Sequence, residues 1–454
     1  MNGLRMKGWR TAAMLLAAGA LWPAASAAQV TPDTSMPAVV GIPMPVPSDT
    51  LTMQEAITQA LRVHPQIVQA ETSVQTARMG VTQQWASMLP SLNMSTGASV
   101  SASQRFSQET NTVITSSSNS NYNARLNSSV TLFAGGRNIA RLHAAQADAT
   151  AADATLREQR FAVTLSVKQA FFAVLRAQEQ ISVAQANVKL AQENLDAATR
   201  RQQVGSGTIS DVLQARVQVM NSQQSLLSNQ SQKRTAMFEL GRLVGVDGPA
   251  EARLEEPLEP RPLSLSKDSL MALAMAASPS VNAAVATKRA RDASLKAARA
   301  AWFPSLSASG GYTITNTDPT LSKSVNSWSV SLGLSYPIFN GLQRESSIES
   351  ANAQADVADA QLADARRSAR SQLEALLSSL DVARQQVALS RQTLQASEEA
   401  LRVQQERYRV GASTILDLIT SQAARVQAEI NLIGARYDYQ IALAQLESLV
   451  GREL

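Results

Sequence analysis

The chain contains no cysteine. Disulfides, thiolate metal sites and thiol nucleophiles are therefore excluded. Its two histidines, His64 before a proline and His143 in a helical run, stand too far apart to suggest a metal or acid–base pair, and a surface role is expected for each. Aromatic residues make up only 4% of the chain, while Ala, Ser and Gln are abundant. That balance suits long helices packed closely through small side chains better than a thick aromatic core. Proline and glycine are absent throughout 137–203.

Long hydrophobic runs are scarce too. The one clear case is N-terminal: Arg5, Lys7 and Arg10 precede an apolar run over 12–21 and then Ala25-Ser26-Ala27. This pattern predicts a secretory signal peptide over 1–27 with an A-x-A cleavage site. The run is too short to span a bilayer, and no other segment is read as a spanning helix. Without the leader's three cations the formal charge falls from +5 to +2. No basic patch with interleaved aromatics is left, so nucleic acid is not an expected partner.

What is present is a duplication. The stretch 201–215, RQQVGSGTISDVLQA, returns 206 residues later as 407–421, RYRVGASTILDLITS. Each copy ends a helical run at Val-Gly, turns through small and hydroxylated residues, and restarts with an early Asp. Glycine suits the stop because it tolerates positive φ, and Ser and Thr suit the restart because they cap free amides. The division expected is a Pro-rich arm over 28–50, a first repeat over 51–245, a Pro-rich linker over 246–267 and a second repeat over 268–454.

Each repeat reads helix, helix, strand, strand, long helix, helix. In the first, 51–63 is a short helix capped by Ser48 or Asp49; Pro65 opens the next and Pro90 ends it. Over 91–103 the period changes to two, with Leu92, Met94, Ala98 and Val100 on one face and Ser91, Asn93, Ser95 and Ser99 on the other. A polar loop over 108–121 and a second strand over 123–133 follow. The run 137–203 makes a helix of about 100 Å, and 209–244 one of about 54 Å. In the second repeat the helices are expected at 270–277, 279–302, up to 410, and 415–450, with strands at 305–315 and 328–339. Pro65 and Pro90 match Pro279 and Pro304 at an offset of 214, while Phe133, Gly205, Asp211 and Gly245 match Phe339, Gly411, Asp417 and Gly451 at 206. The difference lies in the strand hairpins, where loop length costs little.

The long helices carry a seven-residue seam: Leu373, Leu380, Val387, Leu394, Leu401 and Tyr408 in the second copy, and Val167, Val174, Ile181, Val188 and Leu195 in the first. Ala170, Ala177, Ala184, Ala191 and Ala198 follow at three residues. A large–small heptad seam predicts coiled-coil contact.

Four strands with one apolar and one hydroxyl-rich face belong either to a soluble sheet or to a barrel shared by several chains. Lipid admits only helices and closed barrels, and four strands cannot enclose a lumen. Three chains would supply twelve. Trp328 and Tyr336 then suit an interfacial aromatic belt.

The chain resembles the TolC family of outer-membrane efflux and type I secretion channels over about 50–452. The marks are Pro90-Ser91-Leu92 and Pro304-Ser305-Leu306, the run Leu132-Phe133-Ala134-Gly135-Gly136-Arg137, and the two Val-Gly turns. The resemblance implies an α+β membrane protein: a homotrimer with a 12-stranded β-barrel in the outer membrane, continued by an α-helical barrel in the periplasm. It implies a periplasmic adaptor and an inner-membrane efflux pump or ABC transporter as partners, and neither catalysis nor a cofactor. It assigns Asp211 and Asp417 to a cation-preferring gate with Tyr408 as a gate-bonding residue. Gly205, Ser206, Gly207 and Thr208, with Gly411, Ala412, Ser413 and Thr414, match the adaptor-docking tips. Ser413 and Thr420 stand where the best-known pattern has Arg and a second Asp. A trimeric surface stalk or adhesin is the competing expectation from the seam alone.

Overall fold

The computed structural model describes residues 50–102, 104–107, 109, 111–115, 119–254, 265–317 and 324–454. The leader expected over 1–27, and the arm up to residue 49, lie outside them.

The first repeat opens with β1 (Thr50–Leu51), α1 (Met53–Val63) and α2 (Pro65–Ala86). The cap of α1 is Thr52, not Ser48 or Asp49, which lie outside the described residues. Thr52 Oγ1 accepts from the Glu55 amide, and Glu55 Oε2 accepts from the Thr52 amide at 2.9 Å. A capping box needs its acid three residues on, and only Thr52 has one there. His64 Nδ1 accepts from the Gln66 amide at 3.4 Å and so caps α2, whose first residue is Pro65. Next come β2 (Ser91–Ser101), β3 (Gln104–Ser107), β4 (Thr112–Thr115) and β5 (Asn119–Phe133). The stretch expected to be polar loop thus holds β4, which pairs with β3, and the first residues of β5. In their register Arg105 stands opposite Ile114 and Phe106 opposite Val113. The long α3 (Arg137–Gln203) and α4 (Ile209–Val244) complete the repeat.

Inside the linker, β6 (Glu251–Ala252) pairs in parallel with β1 and ties the start of the chain to the junction of the repeats. The second repeat holds α5 (Lys267–Ala277), α6 (Pro279–Arg299) with a short 3₁₀ turn to Trp302, β7 (Ser305–Asn316), β8 (Val325–Ser335), α7 (Gln343–Arg409) and α8 (Ile415–Val450). The strand expected to reach 339 stops at Ser335 because Pro337 has no N–H to offer a ladder. Contrary to the sequence reading, Lys267–Trp302 is long and apolar enough for a membrane span. The chain breaks it at Ser278-Pro279 and packs it against α3, α7 and α8.

The four long strands form one antiparallel sheet in the order β2-β5-β7-β8. Register carries the alternation across all four: Met94 faces Leu126, Leu126 faces Tyr312, and Tyr312 faces Trp328. One face is therefore mostly apolar, and the other is mostly Ser, Thr, Asn and Gly with Arg125 among them. Among the described residues nothing covers the apolar face, where Met94 is 77% and Val330 77% exposed, and both edges, β2 and β8, are left unpaired.

The heptad seam is where the helices meet. Val167, Val174, Ile181, Leu373, Leu380, Val387 and Leu401 are buried, as are all five paired alanines. Helix α3 packs along α2, α4, α6 and α8, and α7 along α6 and α8. The register of α3 on α8 is antiparallel and set by ion pairs: Lys168 Nζ to Glu447 at 2.6 Å and Arg176 Nη1 to Asp438 at 3.2 Å. The Tyr437 hydroxyl donates to Glu179 at 2.8 Å in the same register.

Candidate gate at the helical tips

The two tips lie at the far ends of α3 and α7, about 100 Å of helix from the strands. Each helix ends on a left-handed glycine, Gly205 at φ +77° and Gly411 at φ +81°. The following amides fold back: Ser206 N–H reaches the Arg201 carbonyl at 2.9 Å and Ala412 N–H the Arg407 carbonyl at 2.8 Å. This satisfies carbonyls that a helix end leaves bare.

The sequence-predicted aspartates sit at the restarts. Thr208 Oγ1 accepts from the Asp211 amide at 3.1 Å, and Asp211 Oδ2 accepts from the Thr208 amide at 2.9 Å. Thr414 and Asp417 repeat this at 3.2 and 3.0 Å, and the Thr414 hydroxyl adds a third bond at 2.8 Å. Both aspartates are thus held as capping-box acids, with negative charge at a helix N-terminus. The bonds from the Thr414 side chain, then its backbone, with Arg407 nearby, hold the Asp417 carboxyl below the usual range.

At the tips, the contact that joins the repeats is one the sequence did not announce. Arg201, at the end of α3, donates from Nη1 to the Tyr408 carbonyl at 2.7 Å and lies 4.7 Å over the Tyr408 ring. Burial raises the Tyr408 hydroxyl's pKa; Arg201 works against this and Asp211 adds to it. So Arg201 and Tyr408 meet directly, with Asp211 near enough to act on the Tyr408 hydroxyl, whereas Asp417 is held by Thr414. The signal available was an arginine four residues before the glycine in both copies, Arg201 and Arg407. Arg407 instead stays on its own turn, 3.5 Å from the Ala412 carbonyl.

Of the tip residues, Gly205, Ser206, Thr208, Gly411, Ala412 and Thr414 are exposed, while Gly207 and Ser413 are half-buried. The Ser413 hydroxyl has no hydrogen-bond partner among the described residues. Val204 and Val410 stand 78% and 67% exposed at the very ends. Among the described residues no group of His, Asp and Glu is placed to hold a metal ion.

A four-stranded sheet bare on its apolar face, carried on a helical body of this length, defines a component of a membrane duct. The chain belongs to the outer membrane efflux protein family, which it matches over 56–246 and 270–452. It is 24% identical over 420 residues to the outer membrane protein TolC of Vibrio cholerae, covering 88% of this chain and 90% of that one. It is 26% identical over 315 residues to the alkaline protease secretion protein AprF of Pseudomonas aeruginosa, covering 67% and 64%. Its fold matches the crystal structure of VceC, an outer membrane protein of Vibrio cholerae, with TM-score 0.73 at 20% identity over 88% of this chain and 96% of that one. The protein is thus a TolC-like outer-membrane channel protein, with its strands in the membrane and its helices in the periplasm.

Proposed function

We propose that three copies close into a passive exit duct, a 12-stranded barrel continued by a helical barrel, shut at the Gly205 and Gly411 tips. The observation that carries this is a pair of unpartnered heptads in matching register. On α7, Val382, Leu389 and Val403 are exposed at multiples of seven, as is Val410 at its C-cap; on α4, so are Leu213, Met220 and Leu227. The repeat counterparts of Leu389 and Leu227, Val183 of α3 and Ile433 of α8, are buried in one core inside the chain. Shifted by the repeat offset of 206, the α3–α8 register sets Leu389 opposite Leu227, and Val403 opposite Leu213, of a second copy. The same closure pairs the free edges of β2 and β8 and turns the apolar face to lipid. An eleven-residue strand tilted by about 40° rises roughly 28 Å, close to the height of an outer-membrane apolar band.

In this duct Asp211, Asp417 and Tyr408 stand at the narrow end and favour cations, because clustered carboxylates attract them. The tips are where a periplasmic adaptor docks, and an inner-membrane efflux pump or ABC transporter drives the cargo. Planar-bilayer conductance of the purified protein tests this. A small cation-selective current that grows or loses selectivity in Asp211→Ala/Asp417→Ala is expected; no current from a folded, inserted trimer sinks the proposal.

A further inference from the structure

The four long strands carry a single charged side chain, Arg125 of β5. It lies on the polar face, between Ser95 of β2 and Thr313 of β7 in the register. Its side chain is exposed, and the four strands hold no acid to neutralise it. Its neighbours on the same face of β5 are Asn123 and Asn127. Each sits over a glycine of the adjacent strand: a Cβ on Gly97 would stand 3.0 Å from Asn123 Oδ1, and one on Gly311 3.0 Å from Asn127 Oδ1. Glycine is costly inside a strand, and here it makes room for the two amides that flank Arg125.

We infer that Arg125, flanked by Asn123 and Asn127, forms an anion-binding ring inside the barrel that takes multivalent oxyanions such as phosphate-bearing solutes. This rests on the trimeric duct proposed above. Twelve strands about 4.8 Å apart at a tilt of about 40° give a backbone radius of roughly 12 Å. Three arginine side chains reaching inward bring their guanidinium groups to about 5–6 Å from the axis and about 9–10 Å from one another, comparable to the Debye length of roughly 8 Å. Their fields overlap across the lumen, and the four long strands carry no carboxylate to offset them. Guanidinium binds phosphate oxygens in bidentate fashion, and the flanking amides add neutral donors. The duct then carries opposite signs at its two ends: acidic at the tips, basic within the barrel.

The test is block of the bilayer current by inorganic tripolyphosphate added from the strand side. Block is expected in the wild type. In Arg125→Gln the half-blocking concentration should rise about tenfold, the scale of losing close charge pairs, while Arg125→Lys retains block. Equal block in the wild type and Arg125→Gln overturns the ring while leaving the duct intact. If the protein passes no current, the duct fails on its own account, and calorimetric titration of tripolyphosphate into the solubilised protein reads the ring. One anion per three chains, lost in Arg125→Gln, supports it; no binding, or one anion per chain, overturns it.

Discussion

At the residue scale the tip is a study in divided labour between two equivalent arginines. Arg201 crosses to the other repeat and Arg407 does not, so the cross-link depends on one side chain. Because Arg201 bonds a carbonyl and stacks on a ring, its loss should matter more than loss of the Tyr408 hydroxyl. Arg201→Ala removes a charge-assisted hydrogen bond of about 1.5–3 kcal/mol, with the lower end apt for a half-exposed site. We expect its mean conductance to exceed the wild-type value severalfold, while Tyr408→Phe, keeping the carbonyl and the ring, stays near wild type. Equal effects would show that the hydroxyl carries the link. The neighbouring Asp417 supplies a pH prediction. Its carboxyl is held below the ordinary value, so its contribution is complete above that value and is lost only as pH falls through the lower, folded one. Cation preference and slow hydrogen exchange of the α8 N-terminal amides should therefore persist from neutral pH down to about 4 and fade below it. Loss of both already at pH 6 would assign them to another group.

At the scale of elements, the helices were legible in the sequence and some strands were not. Arg137–Gln203 and Ile209–Val244 were readable because their ends are chemical: Gly136 before, Val-Gly after, a Thr-x-x-Asp restart and a glycine stop. The buried seam was readable because a heptad repeated over about eight to ten helical turns outweighs any single residue. In contrast, β3 and β4 are four residues each within a Ser/Thr/Asn stretch, too short and without the alternation that would mark a strand. The pairing of β1 with β6 spans two residues across some two hundred, with no local signature at all. The Arg201–Tyr408 contact joins positions 207 apart for the same reason. The stops can be tested at Gly245, which ends α4 at φ +76° with its would-be Cβ inside contact distance of Val63 in α1. Gly245→Ala meets both backbone strain of about 1–2 kcal/mol and that clash. It should lower the urea midpoint well below that of Gly80→Ala, whose Cβ meets nothing within 4 Å. Similar midpoints would mean that the α1–α4 corner relaxes freely.

At the scale of the whole molecule, the duplication acts as a rule for assembly. Within the chain, the outer face of α3 is covered by α8; the matching face of α7 waits for something shaped like α8, and α4 is its repeat equivalent. In the proposed trimer, a third copy of the same contact would close the ring, with the spacing between chains following the α3–α8 register. The absence of native cysteine makes this measurable without background. With Leu213→Cys and Val403→Cys in one chain, each α7 thiol should meet an α4 thiol of the next copy, inside the roughly 7 Å Cα separation a disulfide allows. Oxidation should convert the protein to a covalent trimer on denaturing gels, reversed by reductant. The single variants should stay monomeric on the same gels, because each offers only half of every pair. Moving the α7 partner to Val382→Cys shifts it 21 residues, about 30 Å of helix, from Leu213 and should abolish the trimer band. A trimer from the Val382 pair with none from the Val403 pair would break the register argument, and with it the inference that the second repeat meets its neighbour as the first meets the second.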